Sequence, residues 1–345
     1  MKAIVIHEAG DLRIEDRDIT KPGPDQVAIA IKAGGICGSD LHYFNNGGFG
    51  AIRLIDPMIL GHEVAGVVEA IGDKVTGLNV GDRVAVNPSR PCGACTFCSQ
   101  GLHNHCLDMR FYGSAMRRPH IDGAFRQSLT ADASQCAVVP ADVSMNEAAI
   151  AEALAVVLNA VGKAGNLVGK RVLVTGCGPI GSLAVLVARS AGAREIVATD
   201  VFDSALATAV KLGADVALNA VTQGEKLQDY ARDKGTFDVM FEASGNAAAL
   251  GAGLNTVRPR GTVIQLGLGG DVEISQNTIV AKELTLKGTF RFHEEFAIAA
   301  QMIANRQIDV RPLLTDVLPL NKAEEAFKLA NDRTKAMKVQ IDFSA

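Results

Sequence analysis

Tryptophan is missing from this 345-residue chain, tyrosine occurs three times, and aromatic residues make up only 5%. The core must therefore be built from aliphatic and small side chains. With 35 glycines, the composition suits an α/β fold in which backbone approaches helices and ligands closely. A strong charge of either sign is also absent: 34 Lys and Arg against 38 Asp and Glu leave a net charge of -4. That offers nothing to nucleic acid or an anionic membrane. No apolar run reaches about 18 residues, so a membrane span is not expected. The opening Met1-Lys2-Ala3-Ile4-Val5-Ile6-His7-Glu8 carries no secretory core. A disulfide framework is missing too. Four of the seven cysteines fall between 92 and 106, while Cys37, Cys136 and Cys177 stand alone. Such clustering points to metal binding in a reducing compartment, the cytoplasm.

What is present suggests two domains, as the length allows. Up to about residue 90 the chain reads as short strands between glycine-rich turns: Lys2 to His7, Gln26 to Lys32, Val64 to Ala70 and Arg83 to Val86. Gly34-Gly35-Ile36-Cys37-Gly38-Ser39-Asp40 interrupts them with a loop that opens a helix. This part is mostly β and barrel-like. From Met145 to Gly162 the chain is Ala-rich and helical, with Glu152 a lone acid on an apolar face. By itself that pattern favours a solvent contact at a helix end over a functional group. Strands and helices then alternate: Lys170 to Thr175, a helix to Gly192, Glu195 to Thr199, helical Ala207 to Leu212, Phe237 to Glu242, helical Ala247 to Val257, Gly261 to Leu266, Glu283 to Thr289. This is the pattern of a doubly wound parallel sheet. Two amphipathic helices follow, Glu294 to Asn305 and Lys322 to Asp332, the second with Asn321 and Glu324 at capping-box spacing. A last strand, Lys338 to Phe343, returns the chain to its first domain, with a cleft expected between the two.

Three motifs carry chemistry. In Gly61-His62-Glu63-Val64-Ala65-Gly66 an ionisable pair sits inside an apolar run; the hexapeptide alone leaves a metal site and a satisfied core histidine equally open. Cys92, Cys95, Cys98 and Cys106 have spacing that lets four thiolates converge on one tetrahedral zinc from a single loop. A closed four-sulfur site leaves no position for substrate, so it is structural. It contributes about 10 kcal/mol or more to folding of its segment. The neighbouring His103 and His105 are then surface residues. Gly176-Cys177-Gly178-Pro179-Ile180-Gly181 lies between strand and helix, and Asp200 follows 19 residues after Gly181, at the end of the next strand. That context marks a dinucleotide site: Gly176 makes the turn, Gly178 admits the pyrophosphate, and Gly181 packs helix on strand. Asp200 would accept from the adenosine ribose hydroxyls and repel a 2′-phosphate. No Lys or Arg occurs from Asp200 to Val210, so NAD is preferred over NADP.

Together these residues resemble the zinc-containing medium-chain alcohol and polyol dehydrogenases, over essentially the whole chain. Gly61-His62-Glu63, Gly66, Gly72 and Val75 are similar to that family's signature. Gly35-Ile36-Cys37-Gly38-Ser39-Asp40-Leu41-His42-Tyr43 resembles its sorbitol dehydrogenase branch. Within the branch, the segments Asn87 to Cys92, Met109 to Met116 and Gly288 to Phe292 look most like L-idonate-oxidising members. The resemblance implies a GroES-like catalytic domain (residues 1–147 and 291–345) and a Rossmann domain (residues 148–290). It implies that Cys37, His62 and Glu63 hold a catalytic zinc, and that Glu152 holds the metal-bound water or ligates in its place. Ser39 and His42 match a proton relay, Tyr43 a substrate-pocket position, and Arg291 a residue near Glu152 and the nicotinamide. Ser244, Leu266, Gly267 and Phe290 are carried over as cofactor-pocket positions. Ala153 departs from the family, which usually has proline there. The implied reaction is oxidation of a secondary alcohol of a sugar acid, L-idonate to 5-keto-D-gluconate, with hydride passing to NAD. Arg110, Arg117, Arg118 and Arg291 are candidates to bind the carboxylate, since guanidinium grips it bidentately. A general polyol dehydrogenase and a catalytically silent nucleotide-binding protein are the rival readings. Family habit implies a homo-oligomer, dimer or tetramer.

Overall fold

β-branched runs too short to stand alone need partners, and in the N-terminal part they find them antiparallel. The computed structural model describes residues 1–344 and divides into two units. One comprises Met1–Glu152, His293–Asp332 and the stretch from Lys338 onward; the other comprises Ala153–Phe292 and Arg333–Met337. Among the described residues, no helix is long and apolar enough to cross a membrane.

In the first unit a curved sheet runs in the order Cys136–Val138, Arg83–Val86, Glu63–Ile71, Gln26–Gly35, Lys338–Asp342, Leu314–Pro319, with Ser128–Asp132 also on Gln26–Gly35. The alternation of Gln26–Gly35 fails because nearly every residue of it is buried. Its register puts Gly35 opposite Glu63 on one side and opposite Gln340 on the other. A side chain at Gly35 would overlap the Glu63 carboxylate, so this position is limited to glycine by what faces it. Gly61 is fixed twice over: its φ is 90°, and a Cβ there would enter the ring of buried Phe125.

In the second unit, among the described residues, six parallel strands lie in the order Val216–Asn219, Glu195–Asp200, Arg171–Thr175, Phe237–Glu242, Val257–Gln265, Thr285–Gly288. The order reverses between Arg171–Thr175 and Phe237–Glu242, which opens a crevice at the carboxyl ends of those two strands. Leu173, Val197, Phe237, Met240, Leu254 and Val263 pack beneath it, each at most 2% exposed. Full burial of such a side chain contributes about 1.5–3 kcal/mol.

Most elements lie where the sequence places them, with four corrections. The helical stretch Met145 to Gly162 is two helices, Met145–Ala149 and Ala151–Ala164, separated at Ile150. The first is held by a Ser144–Glu147 capping box, whose local hydrogen bonds fix its start independently of the second. Asn321 does not cap its helix: a short 3-10 turn, Leu320–Lys322, precedes Ala323–Asn331, so Lys322 takes the cap position. The strand expected at Gly261 begins at Val257 and the helix expected at Ala207 begins at Asp203, because backbone pairing and helix hydrogen bonds extend past the apolar runs.

Candidate functional site

Cys37 ends the loop after Gln26–Gly35 and is the N-cap of the helix Gly38–Asn46. Its amide donates to Asp40 Oδ2 at 2.9 Å, and the Gly61 amide donates to Asp40 Oδ1 at 3.2 Å. Asp40, with no exposed surface, thereby ties the Cys37 turn to the Gly61 turn. One thiol, one imidazole and one carboxylate result: Cys37, His62 and Glu63 present ligand atoms all within 4.8 Å of one another. His62 and Glu63 are buried, and Phe111 packs on the His62 ring at 5.5 Å between centroids. His62 Nδ1 is buried without a hydrogen bond, and Asp40 Oδ1 lies 3.7 Å from it. A thiol, an imidazole and a carboxylate that converge, with the Asp40 carboxylate facing the imidazole Nδ1, fit a zinc site.

The electrostatics argue the same way. Burial, then the charge of Glu63, pushes the Cys37 thiol up to about 12. Burial pushes Glu152 up to about 8, opposed by His62 and reinforced by Glu63 and Cys37. Acidic groups so reluctant to ionise together are what a divalent cation would relieve. Glu152 is 6% exposed, at the start of Ala151–Ala164, but the structure does not bring it into the three-donor set.

Two groups escaped the sequence reading. Asp40 is one; its spacing after Cys37, matching a capping box, was the available signal. Lys338 is the other. It is 3% exposed, ion-pairs with Glu63, and donates to Ile36 O at 3.2 Å. Burial works against its charge, but Glu63 and Cys37 prevail and raise its pKa. It arrives on the last strand, and no local pattern announces it.

Of the other expected residues, Ser39 is half-buried and His42 exposed, its ring 5.5 Å from Phe49. Tyr43 is 2% exposed and its hydroxyl accepts from the Ala115 amide at 3.0 Å. Arg117 is paired with Asp108, and Arg110 is exposed on a short strand opposite Arg90.

The four-cysteine loop closes as its spacing requires: Cys92, Cys95, Cys98 and Cys106 place their sulfurs within 4.8 Å of one another. Amides point at them, Cys92 N to Cys106 Sγ at 3.2 Å, Asp108 N to Cys106 Sγ at 3.3 Å and Leu107 N to Cys95 Sγ at 3.5 Å. Amides from Cys98 and Leu107 lower Cys95 to about 6. This donor set fits a structural zinc. His105 is exposed, but the surface expectation is corrected for His103, which is half-buried with its ring stacked on His293 at 3.8 Å.

In the second unit, Gly178 caps the helix Pro179–Ser190, with Pro179 at its first position and Ile180 and Gly181 completing the first turn. Gly176, at φ 82°, turns so tightly that a Cβ would overlap Ser244. The helix N-terminus leaves amides for an anion. Asp200 Oδ2 accepts from Cys177 N at 2.6 Å and Oδ1 from Phe202 N at 2.9 Å, each oxygen keeping a lone pair for a ligand. The Leu266 and Gly267 amides are bonded to Glu242 O at 2.8 and 2.9 Å. Phe290 is 41% exposed beneath the Arg291 guanidinium, 5.1 Å from the ring centre.

Comparison with known proteins agrees with this geometry. The model of the alcohol dehydrogenase GroES-like domain matches residues 23–141, and that of the zinc-binding dehydrogenase matches residues 179–305. L-idonate 5-dehydrogenase (NAD(P)(+)) of Escherichia coli is 43% identical over 316 residues, 91% of each chain. Human sorbitol dehydrogenase is 36% identical over 332 residues, 94% of this chain and 91% of the relative. The crystal structure of the Escherichia coli L-idonate 5-dehydrogenase superposes with a TM-score of 0.95 at 40% identity, covering 99% of this chain and 97% of the other. A metal-ready donor set in a GroES-like unit, a dinucleotide turn in a Rossmann unit, and these matches place the chain in the zinc-dependent alcohol and polyol dehydrogenase family.

Proposed function

We propose that the protein oxidises the secondary alcohol of a sugar acid, L-idonate to 5-keto-D-gluconate, with hydride passing to NAD. The convergence of Cys37, His62 and Glu63 carries this reading, because these three residues would hold a zinc with the mixed sulfur, nitrogen and oxygen donors that catalytic sites use. When bound, zinc supplies a Lewis acid that lowers the pKa of the substrate hydroxyl, and the dinucleotide supplies the hydride acceptor. The chain's own residues do the rest. The Asp40 carboxylate faces the His62 ring at 3.7 Å, and Lys338 ion-pairs with one oxygen of Glu63. Ser39, half-buried, and His42, exposed, pass the hydroxyl proton toward solvent in this reading. Glu152 holds a water and moves a proton at its carboxyl. Gly176 to Gly181 seat the pyrophosphate on the helix N-terminus. Asp200 accepts from the adenosine ribose, which favours NAD over NADP.

For the substrate carboxylate we assign Arg291 first and Arg110 second. Arg291 has φ 50°, a left-handed conformation rare outside glycine and asparagine, and Asn159 Nδ2 pins its carbonyl at 2.8 Å. A substrate panel read by NADH absorbance tests the proposal. L-idonate should exceed sorbitol and xylitol in kcat/KM, and Arg291→Ala should lower the L-idonate value about tenfold or more while leaving sorbitol within a few-fold. Equal losses on both substrates would remove the carboxylate assignment. Preference for the uncharged polyols would replace the reaction with general polyol oxidation.

A further inference from the structure

At the carboxyl edge of the parallel sheet one acid has gone unmentioned by every motif. Glu242 ends the strand Phe237–Glu242 with no exposed surface. Its Oε1 accepts from the Ser244 amide at 2.9 Å, from the Ser244 hydroxyl, and from Thr175 Oγ1 at 3.5 Å. Its Oε2 accepts from Gln265 Nε2 at 2.5 Å, and the Gly245 amide lies 3.1 Å from both oxygens. These donors come from the ends of three adjacent strands, and every one is neutral. The turns they pin are packed against each other without room for side chains. Gly176 lies on the Ser244 backbone, and Gly267 lies on Gly245 and on the Glu242 carboxylate itself.

A carboxylate in such a position is a poor choice for stability alone, since burying it costs far more than burying an apolar side chain of its size. What it does uniquely is accept many bonds at once from groups that face one point. A glutamine would present an amide donor where Glu242 now meets the Gln265 amide or the Gly245 N–H. The three turns so clamped open onto the crevice where the strand order reverses, and the first of them is the glycine turn.

We propose that Glu242 is a positioning residue for the dinucleotide: its carboxylate locks the turns after Arg171–Thr175, Phe237–Glu242 and Val257–Gln265 into one floor that carries the pyrophosphate and nicotinamide half, while the adenosine side at Asp200 does not depend on it. This rests on the dinucleotide reading of the unit.

The test compares two ligands in equilibrium binding to the zinc-loaded full chain, NADH by its fluorescence and adenosine, which carries no phosphate, by calorimetry. Glu242→Gln should raise the NADH Kd about tenfold or more, the effect of losing one or two well-made hydrogen bonds, and leave the adenosine Kd as in the wild type. A clamp that served folding only would weaken both ligands together or neither, and either result overturns the proposal. Should Glu242→Gln not fold, Gln265→Leu decides. It removes one donor to Glu242 and the bond from Nε2 to Gly267 O at 2.9 Å. A few-fold rise for NADH with adenosine unchanged supports the clamp, and unchanged NADH binding sinks it. Wild-type chain that bound neither ligand would overturn the dinucleotide reading first, and the clamp with it.

Discussion

Lys338→Met would leave the Glu63 carboxylate buried beside Cys37 and Glu152 with its ammonium partner gone. Both members of the pair are almost wholly inaccessible, the side chains 4% and 1% exposed, so solvent screens little of the loss. Removing one partner of a buried pair costs about 3–5 kcal/mol. At roughly 2–4 °C per kcal/mol for a unit of this size, the metal-free protein should lose about 10 °C in the melting transition of its GroES-like unit. Zinc changes the outcome, because it supplies positive charge to the same carboxylate. In the loaded protein the penalty should shrink to about 1 kcal/mol. By linkage, the difference of about 2–4 kcal/mol must appear as tighter zinc binding, roughly 30- to 1,000-fold. Scanning calorimetry with and without chelator measures the first quantity, and competition against a chromophoric chelator measures the second. The four-cysteine site is unaltered in both proteins and cancels. Lys338→Arg, which keeps the charge, should restore most of the metal-free stability. Equal destabilisation of metal-free and loaded forms, with zinc affinity unchanged, would show that Lys338 and the metal do not share Glu63.

Cys106→Ser should lower the zinc content from two ions per chain to one by elemental analysis. The residual ion should stay at Cys37 and His62, and the loop 92–106 should become protease-sensitive. Cys37→Ala should abolish turnover while NADH binding survives; retained turnover would refute the metal role. Asp200→Ala should raise the NAD KM about 5- to 30-fold, the loss of one or two hydrogen bonds, and leave the NADP KM unchanged or lower, since the repulsion of the 2′-phosphate goes with the carboxylate. Equal effects on the two cofactors would show that Asp200 does not read the ribose. Asp238 gives the pH dependence. Burial opposes its charge, but the Arg171 amide at 2.9 Å and the Arg258 guanidinium at 2.7 Å lower its pKa below the usual carboxylate value. Its contribution is therefore present above the unfolded pKa of about 3.9 and lost as pH falls through the lower folded value. Asp238→Asn should cost about 1–3 kcal/mol at pH 7, and urea melts of the two proteins should converge in acid below that range.

The sequence by itself settled what depends on neighbours in the chain. Four cysteines within one loop bring their sulfurs within 4.8 Å of one another because the loop is short, and the glycine turn is readable because strand, turn and helix follow one another directly. Strand and helix alternation fixed the parallel sheet in the same way, through periodicity. Where long-range pairing intervened, the sequence fell short. Ile150 divides a stretch that reads as one helix, a 3-10 turn displaces Asn321 from its cap, and His103 finds His293 instead of solvent. Only the tertiary structure brings Lys338 from the last strand onto Glu63 across Gly35, and only it shows that Asp40 and Glu242 each hold together turns from different strands. Pairs of this kind leave no local trace. A lysine on a short C-terminal strand looks like any surface lysine until the sheet register decides which residue stands opposite, and that register is set by the whole buried face rather than by the residues that meet.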